Sequence, residues 1–431
     1  MSERTVRVGL LGCGIVGGGA ATILAEHADD LARRAGARIE LARVAVRNLS
    51  KPRAVSLPAE LWTTDPWEVV KDPAIDVVIE AIGGIEPARD LLLAAFSAGK
   101  HVVTANKELL ATLGGEIMDA AQAAGVDLLF EGSVGGGIPI IRPLKENLAG
   151  DRVRRLMGVV NGTTNFILTR MSEAGASFPE ALAEAERLGY TELDPSADIE
   201  GFDAAAKLAI LASIAFNARV VAGDVEREGI SRITHQDIVA AHDLGYEVKL
   251  VAVAELQDGQ VSARVHPSMI PKTHPLAAVR DVYNAIFVET ERAGELMFFG
   301  RGAGGGPTGS AVIGDVVEVT RNIVSGGRSP GCTCYGRAKI RPADETRVRY
   351  YIVLSVADQP GVLSGVAGVF ARHGVSIASV RQEGFGEQAT LALITHTASE
   401  GQHQATLTEL AGLEVVKSVD STLRVEGAWE E

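Results

Sequence analysis

A glycine-rich turn directly after the first apolar run of the chain constrains the fold more than any other feature. The run VRVGLL leads into GCGIVG, which matches the pattern G-x-G-x-x-G. The glycines allow a tight turn, let the backbone approach a pyrophosphate and let the following helix pack on the strand. A tight structural turn is the alternative, but the strand–loop–helix context favours a dinucleotide site. The residues expected to bind it are Gly12, Gly14, Ile15, Val16 and Gly17.

The order of apolar runs predicts an α/β protein with several domains. At the start of the chain, short β-branched runs alternate with helical stretches, and continuous apolar runs indicate parallel strands buried on both faces. We therefore expect a doubly wound Rossmann-type domain over residues 1–133. Longer connections follow, which predicts a mixed α/β domain for substrate binding and dimerisation over residues 134–309. A helical pattern over about 310–325 is expected to return to the first domain.

The last part of the chain forms a further unit. Residues 326–348 are rich in Gly, Pro, Arg and Ser, as linkers often are. Residues 349–426 follow the order βαββαβ, which predicts a ferredoxin-like domain. Its loop over 358–363 joins the first strand to a helix start, where free N–H groups suit the carboxylate of a small amino acid. A domain used only for pairing subunits is an equally open interpretation.

Charge and hydropathy exclude several kinds of partner. Asp and Glu outnumber Lys and Arg by 55 to 41, the formal net charge is −14, and no basic run occurs. Nucleic acids and anionic membranes are therefore poor partners. No apolar run reaches the roughly 20 residues of a membrane span. The first apolar run leads into the glycine turn and not into a cleavage site, so we expect a cytoplasmic protein.

The residue after the second predicted strand bears on cofactor choice. An Asp or Glu there would hold the ribose hydroxyls of NAD, but the sequence is VAVRNLSKPR and Arg47 takes that place. An arginine can hold the 2′-phosphate of NADP, so NADP is plausible and NAD stays open. Lys51 and Arg53 fit a solvated basic loop equally well.

Two further loops follow predicted strands. In HVVTANKELL, Lys107 comes just after the carboxyl end of a central strand, where open α/β sheets bind ligands. A lysine at a helix start opposes the helix dipole, which favours a functional role. In EGSVGGGIPIIRP, exposed carbonyls and the Glu131 carboxylate could hold a hard monovalent cation. A hinge between domains explains this second loop at least as well.

The most informative stretch is TELDPSADIEGFDAAAKLAILASIAF. Asp203 and Lys207 are four residues apart and share one helix face. A surface salt bridge is the ordinary explanation, but over 204–216 the only other polar residue is a serine, so the helix is expected to be buried. A buried lysine is costly unless it is paired or used, and desolvation makes it a better proton donor. Upstream, Glu192 and Asp198 suit the ammonium group of a substrate.

Taken together, these motifs resemble those of homoserine dehydrogenase. GCGIVG, TANK, EGSVGGGIPII, NGTTNFIL, the stretch around Lys207 and GAGGGPTGSAVIGD occur in the family's order and spacing. Residues 349–426, with DQPGVLSGVAGVFARHGVSI, are similar to an ACT domain. The resemblance implies reversible NAD(P)H-dependent reduction of L-aspartate 4-semialdehyde to L-homoserine, in threonine, methionine and isoleucine biosynthesis. It also implies the monofunctional form, a homodimer or homotetramer, and threonine as a possible effector at the ACT domain.

The resemblance also implies roles for individual residues. Lys207 would be the proton donor, Asp203 its support, and Lys107 a second catalytic lysine that touches cofactor and substrate. Glu192 would bind the substrate amino group. The positions matching the family's sodium site are Glu131, Val134, Gly136 and Ile138, the last three through backbone carbonyls. The positions matching its cofactor contacts are Ile15, Thr104, Lys107 and Gly304.

Two other functions are weighed against this one. Another Rossmann dehydrogenase acting on an amino or sugar substrate would share GCGIVG but not the stretch around Lys207. A catalytically silent amino-acid sensor, in which only the ACT domain works, would have lost Lys107, Asp203 or Lys207. All three residues are present.

Overall fold

The computed structural model describes residues 4–191, 194–334, 339–384 and 389–427. The first part of the chain forms a parallel sheet with helices on both sides. Its elements are β1 (Thr5–Leu11), α1 (Ile15–Glu26), α2 (Ala28–Ala35), β2 (Arg38–Ala45), β3 (Trp62–Thr63), α3 (Pro66–Lys71), β4 (Val77–Glu80), α4 (Ala88–Ser97), β5 (His101–Thr104), α5 (Lys107–Ala124) and β6 (Leu128–Leu129).

The strand order of this sheet is β3-β2-β1-β4-β5-β6. All its pairs are parallel. The chain proceeds outward in one direction from β1 and in the other from β4, so the carboxyl ends of these two strands mark the switch point where such sheets bind ligands. The predicted doubly wound fold is confirmed.

The middle part of the chain forms an antiparallel sheet covered by helices. Its elements are β7 (Val153–Val159), α6 (Gly162–Ala174), α7 (Phe178–Arg187), α8 (Ser196–Ile199), α9 (Phe202–Ala215), β8 (Glu226–Arg227), α10 (His235–Asp243), β9 (Tyr246–Gln257), β10 (Gln260–Pro271), β11 (Tyr283–Thr290), β12 (Glu295–Arg301) and α11 (Gly305–Ser325). The strand order is β12-β11-β7-β9-β10. Helix α9 lies in the largest hydrophobic core. Among the described residues, no helix is both long and apolar enough to cross a membrane.

Helix α11 leaves the middle sheet and packs against α1. Its valines Val312 and Val316 join the core that surrounds Val8 and Leu10 of β1. The two helices cross at glycines: a Cβ atom on Gly19 would lie 2.1 Å from a backbone carbonyl oxygen of α11. Only glycine fits such a close backbone approach.

The C-terminal unit continues the middle sheet. Its elements are β13 (Lys339–Ile340), β14 (Arg347–Val348), β15 (Tyr350–Val356), α12 (Val362–Arg372), β16 (Ile377–Glu383), β17 (Thr390–Thr395), β18 (Ala398–Ser399), α13 (Glu400–Ala411) and β19 (Val416–Val425). The order β15-α12-β16-β17-α13-β19 is the predicted βαββαβ. Strand β19 pairs with β10, so the sheet runs on as β10-β19-β15-β17-β16.

A buried ionic cluster fastens this junction. The Glu426 carboxylate, just after β19, accepts hydrogen bonds from Arg155 of β7 and from Arg264 of β10. Arg264 also pairs with Glu255 of β9. Arg264 and Glu426 are both buried. Charges taken out of water must be paired, and Glu426 is paired with arginines of the middle sheet although it follows the last strand of the C-terminal unit.

Candidate active site

Two lysines from different parts of the chain meet at one buried carboxylate. Helix α9 carries Asp203 in its first turn, and α5 begins at Lys107. The Lys107 ammonium lies 2.5 Å from Asp203 Oδ1, and the Lys207 ammonium lies 2.7 Å from Asp203 Oδ2. The structure therefore brings together all three residues that the sequence nominates as catalytic.

The two lysines differ in their surroundings. The Lys207 side chain is 10% exposed and also donates to the carbonyl oxygen of Val160, at 2.7 Å. The Lys107 side chain is 43% exposed. An ammonium group has three N–H donors. Among the described residues only Val160 and Asp203 accept from Lys207, which leaves one N–H for a ligand.

The charge state of Asp203 follows from these contacts. Burial by itself raises the pKa of Asp203, but Lys207 and Lys107 outweigh burial and hold that pKa well below its ordinary value. The carboxylate is therefore ionised throughout the neutral pH range. It can keep both ammonium groups in place without taking up a proton.

Asn161 is a site residue that the sequence analysis missed. Its side-chain amide donates to Asp203 Oδ2 at 2.8 Å and to Asp198 Oδ1 at 2.6 Å. Its Oδ1 accepts from the Thr164 amide and so caps α6. The only sequence signal for Asn161 as a site residue is its place at a helix start in the motif NGTTNFIL. An Asn at that place is also an ordinary N-cap.

The residues predicted to bind a substrate amino group are only partly described. Asp198 lies in α8 and is joined to Asp203 through Asn161. Glu192 falls outside the described residues. The carboxylate of Asp198 thus stands beside the lysine pair, where it can attract an ammonium group.

The glycine turn after β1 has the shape of a phosphate cradle. Gly12 has φ +90°, and a Cβ on Gly17 would lie 2.0 Å from the Gly12 carbonyl oxygen. A Cβ on Gly14 would meet open space, and Ile15 is 77% exposed. No side chain caps the start of α1, so its first N–H groups are left to a ligand. The residues present therefore fit a dinucleotide pyrophosphate.

A second uncapped helix start adjoins the first. Gly304 has φ +116° and precedes α11, whose start also has no side-chain cap. A Cβ on Gly305 would lie 2.8 Å from the Ile15 carbonyl oxygen, so the two helix starts are in contact. Val16, in the first turn of α1, packs against the core of this domain. Both positive helix ends can act on the same anion.

The remaining predicted cofactor residues lie along the same sheet edge. Arg47 is exposed, two residues after β2 ends, and the Gly12 amide donates to Ala45, the last residue of β2. Thr104 ends β5 and is fully buried, and its hydroxyl donates to Glu80. A cofactor contact at Thr104 would therefore be made by its backbone.

The predicted cation loop contains buried acceptors. Strand β6 ends before this loop, at Leu129, and residues 131–133 form a 3₁₀ turn. The Glu131 carboxylate accepts from the amides of residues 140–142 and so holds the next helix start. Within the described chain, no hydrogen bond reaches the carbonyl oxygens of three buried residues, Val134, Gly136 and Ile138.

Comparisons with known proteins cover nearly the whole chain. Family models match residues 12–131 as the homoserine dehydrogenase NAD binding domain, residues 139–317 as homoserine dehydrogenase, and residues 350–415 as an ACT domain. The homoserine dehydrogenase of Corynebacterium glutamicum is 49% identical over 426 residues, which cover 98% of this chain and 96% of that protein.

Solved structures show the same relationship. The crystal structure of a homoserine dehydrogenase from Thiobacillus denitrificans has a TM-score of 0.94 and is 42% identical, covering 98% of this chain and 99% of that one. A hyperthermophilic archaeal homoserine dehydrogenase in complex with NADPH has a TM-score of 0.64 and is 29% identical, covering 76% of this chain and 100% of that one.

Proposed function

The chain belongs to the homoserine dehydrogenase family of NAD(P)-dependent oxidoreductases, and we propose that Lys107, Asp203 and Lys207 are its catalytic centre. The observation that carries this assignment is the sharing of one buried carboxylate by two lysines. The test is to mix the chain with L-aspartate 4-semialdehyde and NADPH or NADH and to follow loss of the reduced nicotinamide. Formation of L-homoserine is expected, and no turnover with either cofactor would refute the assignment.

In this proposal Lys207 supplies the proton. The bound dinucleotide supplies the hydride that reduces the aldehyde. Negative charge would then develop on the former aldehyde oxygen. The remaining N–H of Lys207 would donate its proton to that oxygen. Asp203 and Val160 hold Lys207 in place, so little reorganisation is needed. Lys107 is the more exposed lysine and can touch both the substrate and the cofactor.

Carboxylates would hold the other end of the substrate. We assign the substrate ammonium group to Glu192, as the family resemblance implies, and to Asp198, which also precedes α9 in the sequence. Asp198 supports this assignment because Asn161 keeps its carboxylate beside Asp203. Opposite charges on the lysines and on Asp198 would orient the substrate, with its oxygen towards Lys207 and its ammonium group away from Lys207.

Arg47 is proposed to favour NADPH over NADH. It is exposed just beyond β2, next to the glycine turn, where the 2′-phosphate of NADP would lie. A charge-assisted contact is worth roughly 1.5–3 kcal/mol, which is about a tenfold to hundredfold preference. Arg47→Ala should raise KM for NADPH by that factor and leave KM for NADH unchanged. Equal losses with both cofactors would show that Arg47 is structural.

A sodium ion is proposed at the 131–138 loop. Support comes from the three buried carbonyls without donors and from the oxygen chemistry that hard cations prefer. Sodium chloride should raise Tm to a saturating value, and choline chloride at equal ionic strength should not. Gly136→Ala should abolish the effect, because a Cβ there would meet Gly302 at 2.5 Å; Gly150→Ala, which meets open space, should keep it. Equal Tm values in both salts would remove the ion from the proposal.

Threonine is proposed as an effector at the start of α12. The ACT domain supports an amino-acid ligand, and no side chain caps this helix start at Gly361. Ser364 is exposed in the first turn. Ser364→Asp would add a charge that repels a carboxylate and should weaken threonine inhibition about tenfold, whereas neutral Ser364→Asn should not. Equal inhibition of both variants would place the effector elsewhere. Deletion of the ACT domain is unsuitable as a test of the effector site, because it also removes Glu426, the buried partner of Arg155 and Arg264.

We also infer that the chain forms a homodimer or homotetramer. Support comes from β12, the outermost strand of the long sheet, which exposes Met297 and Phe299. Apolar side chains on a sheet edge favour pairing with a second chain. Light scattering of the purified protein measures the mass of the assembly, and the mass of a monomer would contradict this inference. A cytoplasmic location stays a prediction from the sequence.

A further inference from the structure

A buried carboxylate that the proposed mechanism does not use lies at the switch point of the first sheet. Glu80 is the last residue of β4 and is 0% exposed. It is paired in register with Leu11 of β1 and Thr104 of β5. Burial raises the pKa of Glu80, which reflects the cost of keeping a charge there. An apolar residue at this place in the strand would avoid that cost. The presence of a carboxylate therefore needs an explanation other than strand stability.

One oxygen of Glu80 organises the loop that follows β4. Glu80 Oε1 accepts from the Ile82 amide at 2.8 Å and from the Gly83 amide at 3.2 Å. This loop lies directly on the phosphate turn, because a Cβ on Gly12 would meet the Ala81 carbonyl oxygen at 2.6 Å. The position of the loop therefore sets one wall of the cofactor cradle.

The other oxygen of Glu80 organises the start of α5. Glu80 Oε2 accepts from the Thr104 hydroxyl at 2.5 Å, and that hydroxyl accepts from the backbone amide of Asn106 at 3.0 Å. The Asn106 side chain then caps α5 by accepting from the Leu109 amide at 3.1 Å. Lys107 is the first residue of α5, so this chain of hydrogen bonds fixes the helix start that carries the lysine in contact with Asp203.

We propose that Glu80 is a positioning residue of the dehydrogenase, whose two carboxylate oxygens fix the cofactor wall and the Lys107 helix start relative to each other. The inference rests on the proposed function. Within the described part of the chain the hydrogen bonds of Glu80 go to these two loops, and it acts through them. The side-chain amide of Asn106 donates to the Gly84 carbonyl oxygen at 2.6 Å and joins the same loops a second time.

Asp127, a second buried carboxylate in the same domain, provides a control for Glu80. Asp127 is also buried and accepts from the Ser329 amide and the Asn322 side chain, but it lies at the opposite end of the sheet, beside His101. Asp127→Asn and Glu80→Gln make the same chemical change. Both should lower Tm, so Tm alone does not distinguish a positioning role from a structural one.

The first measurement compares these two variants by NADPH fluorescence titration and steady-state kinetics. Glu80→Gln should raise the Kd for NADPH about tenfold, as expected for weakened charge-assisted bonds, and Asp127→Asn should leave it unchanged. Equal Kd and kcat values for the two folded variants would overturn the proposal. The titration needs no turnover, so it tests Glu80 even if wild-type enzyme fails to reduce aspartate 4-semialdehyde, a failure that would refute the proposed function instead.

The second measurement separates the two oxygens. Thr104→Val keeps the shape of the side chain but removes the hydroxyl that joins Glu80 to the Asn106 backbone amide, and it leaves the bonds to the loop after β4. It should lower kcat about tenfold through misplacement of Lys107, with a smaller effect on the Kd for NADPH. Thr104→Ser restores the hydroxyl and should restore kcat. Unchanged kcat in Thr104→Val, or no recovery in Thr104→Ser, would overturn the assignment of this oxygen.

Discussion

Lys207→Ala is expected to lower kcat by a factor of about 10² to 10⁴, the usual contribution of a positioned general acid. The remaining N–H of Lys207 is the donor that the structure leaves for the substrate oxygen, and alanine removes it. Affinity for the cofactor should change little, because the glycine turn lies in another domain. Stopped-flow and steady-state measurements of semialdehyde reduction, together with NADPH titration, check both statements.

Lys100 offers a matched control for this variant. It is also a buried lysine, and its ammonium donates to the carbonyls of Asp72 and Ile75 at the far end of the first sheet. Lys100→Ala should lower Tm but keep kcat of the folded enzyme. A near-normal kcat in Lys207→Ala, or an equal loss of kcat in Lys100→Ala, would show that Lys207 is not the proton donor.

Asp203→Asn is expected to lower kcat about 100-fold, the scale on which small misplacements of reacting groups act. The change removes the charge that holds Lys107 and Lys207 on either side, and the two ammonium groups then repel each other. Breaking a buried ion pair also costs roughly 3–5 kcal/mol of stability, so thermal unfolding must accompany the kinetics.

Asp198→Asn provides the contrast. Asp198 shares Asn161 with Asp203 but lies outside the lysine pair, and its proposed partner is the substrate ammonium. We expect a raised KM for the semialdehyde and a nearly unchanged kcat. If Asp203→Asn raised KM and preserved kcat, Asp203 would be a substrate ligand and not the support of the lysines.

Local sequence patterns predicted the parts of the site that lie within one element. The spacing of Asp203 and Lys207 places both on one helix face, and the apolar stretch after them indicates that the helix is buried. The glycine turn was recognisable because a strand precedes it and a helix follows. Lys107 was nominated from its place after a strand, but its contact with Asp203 depends on the packing of two domains, which no local pattern encodes.

Residues whose role depends on distant partners were missed. Glu80 ends an apolar strand, and nothing in VVIEA shows that both of its oxygens collect donors from separate loops. Asn161 looks like an ordinary helix cap. Arg155 and Glu426 are 271 positions apart, and neither sequence neighbourhood indicates the other. The pairing of β19 with β10 is equally hidden, because strand periodicity does not specify which sheet edge a strand will join.

The pairing of β19 with β10 has a consequence during synthesis of the chain. Arg155 and Arg264 leave the ribosome with the middle sheet, but their shared carboxylate partner Glu426 follows Arg264 by 162 positions. At the usual 5–20 residues per second, translation from the end of β10 to Glu426 takes roughly 10–30 s. Throughout that interval the edge of β10 lacks its β19 partner, and among the described residues the two arginines have only Glu255 and Glu289 of the middle sheet as carboxylate partners. The junction with the C-terminal unit can therefore form only after Glu426 has been synthesised.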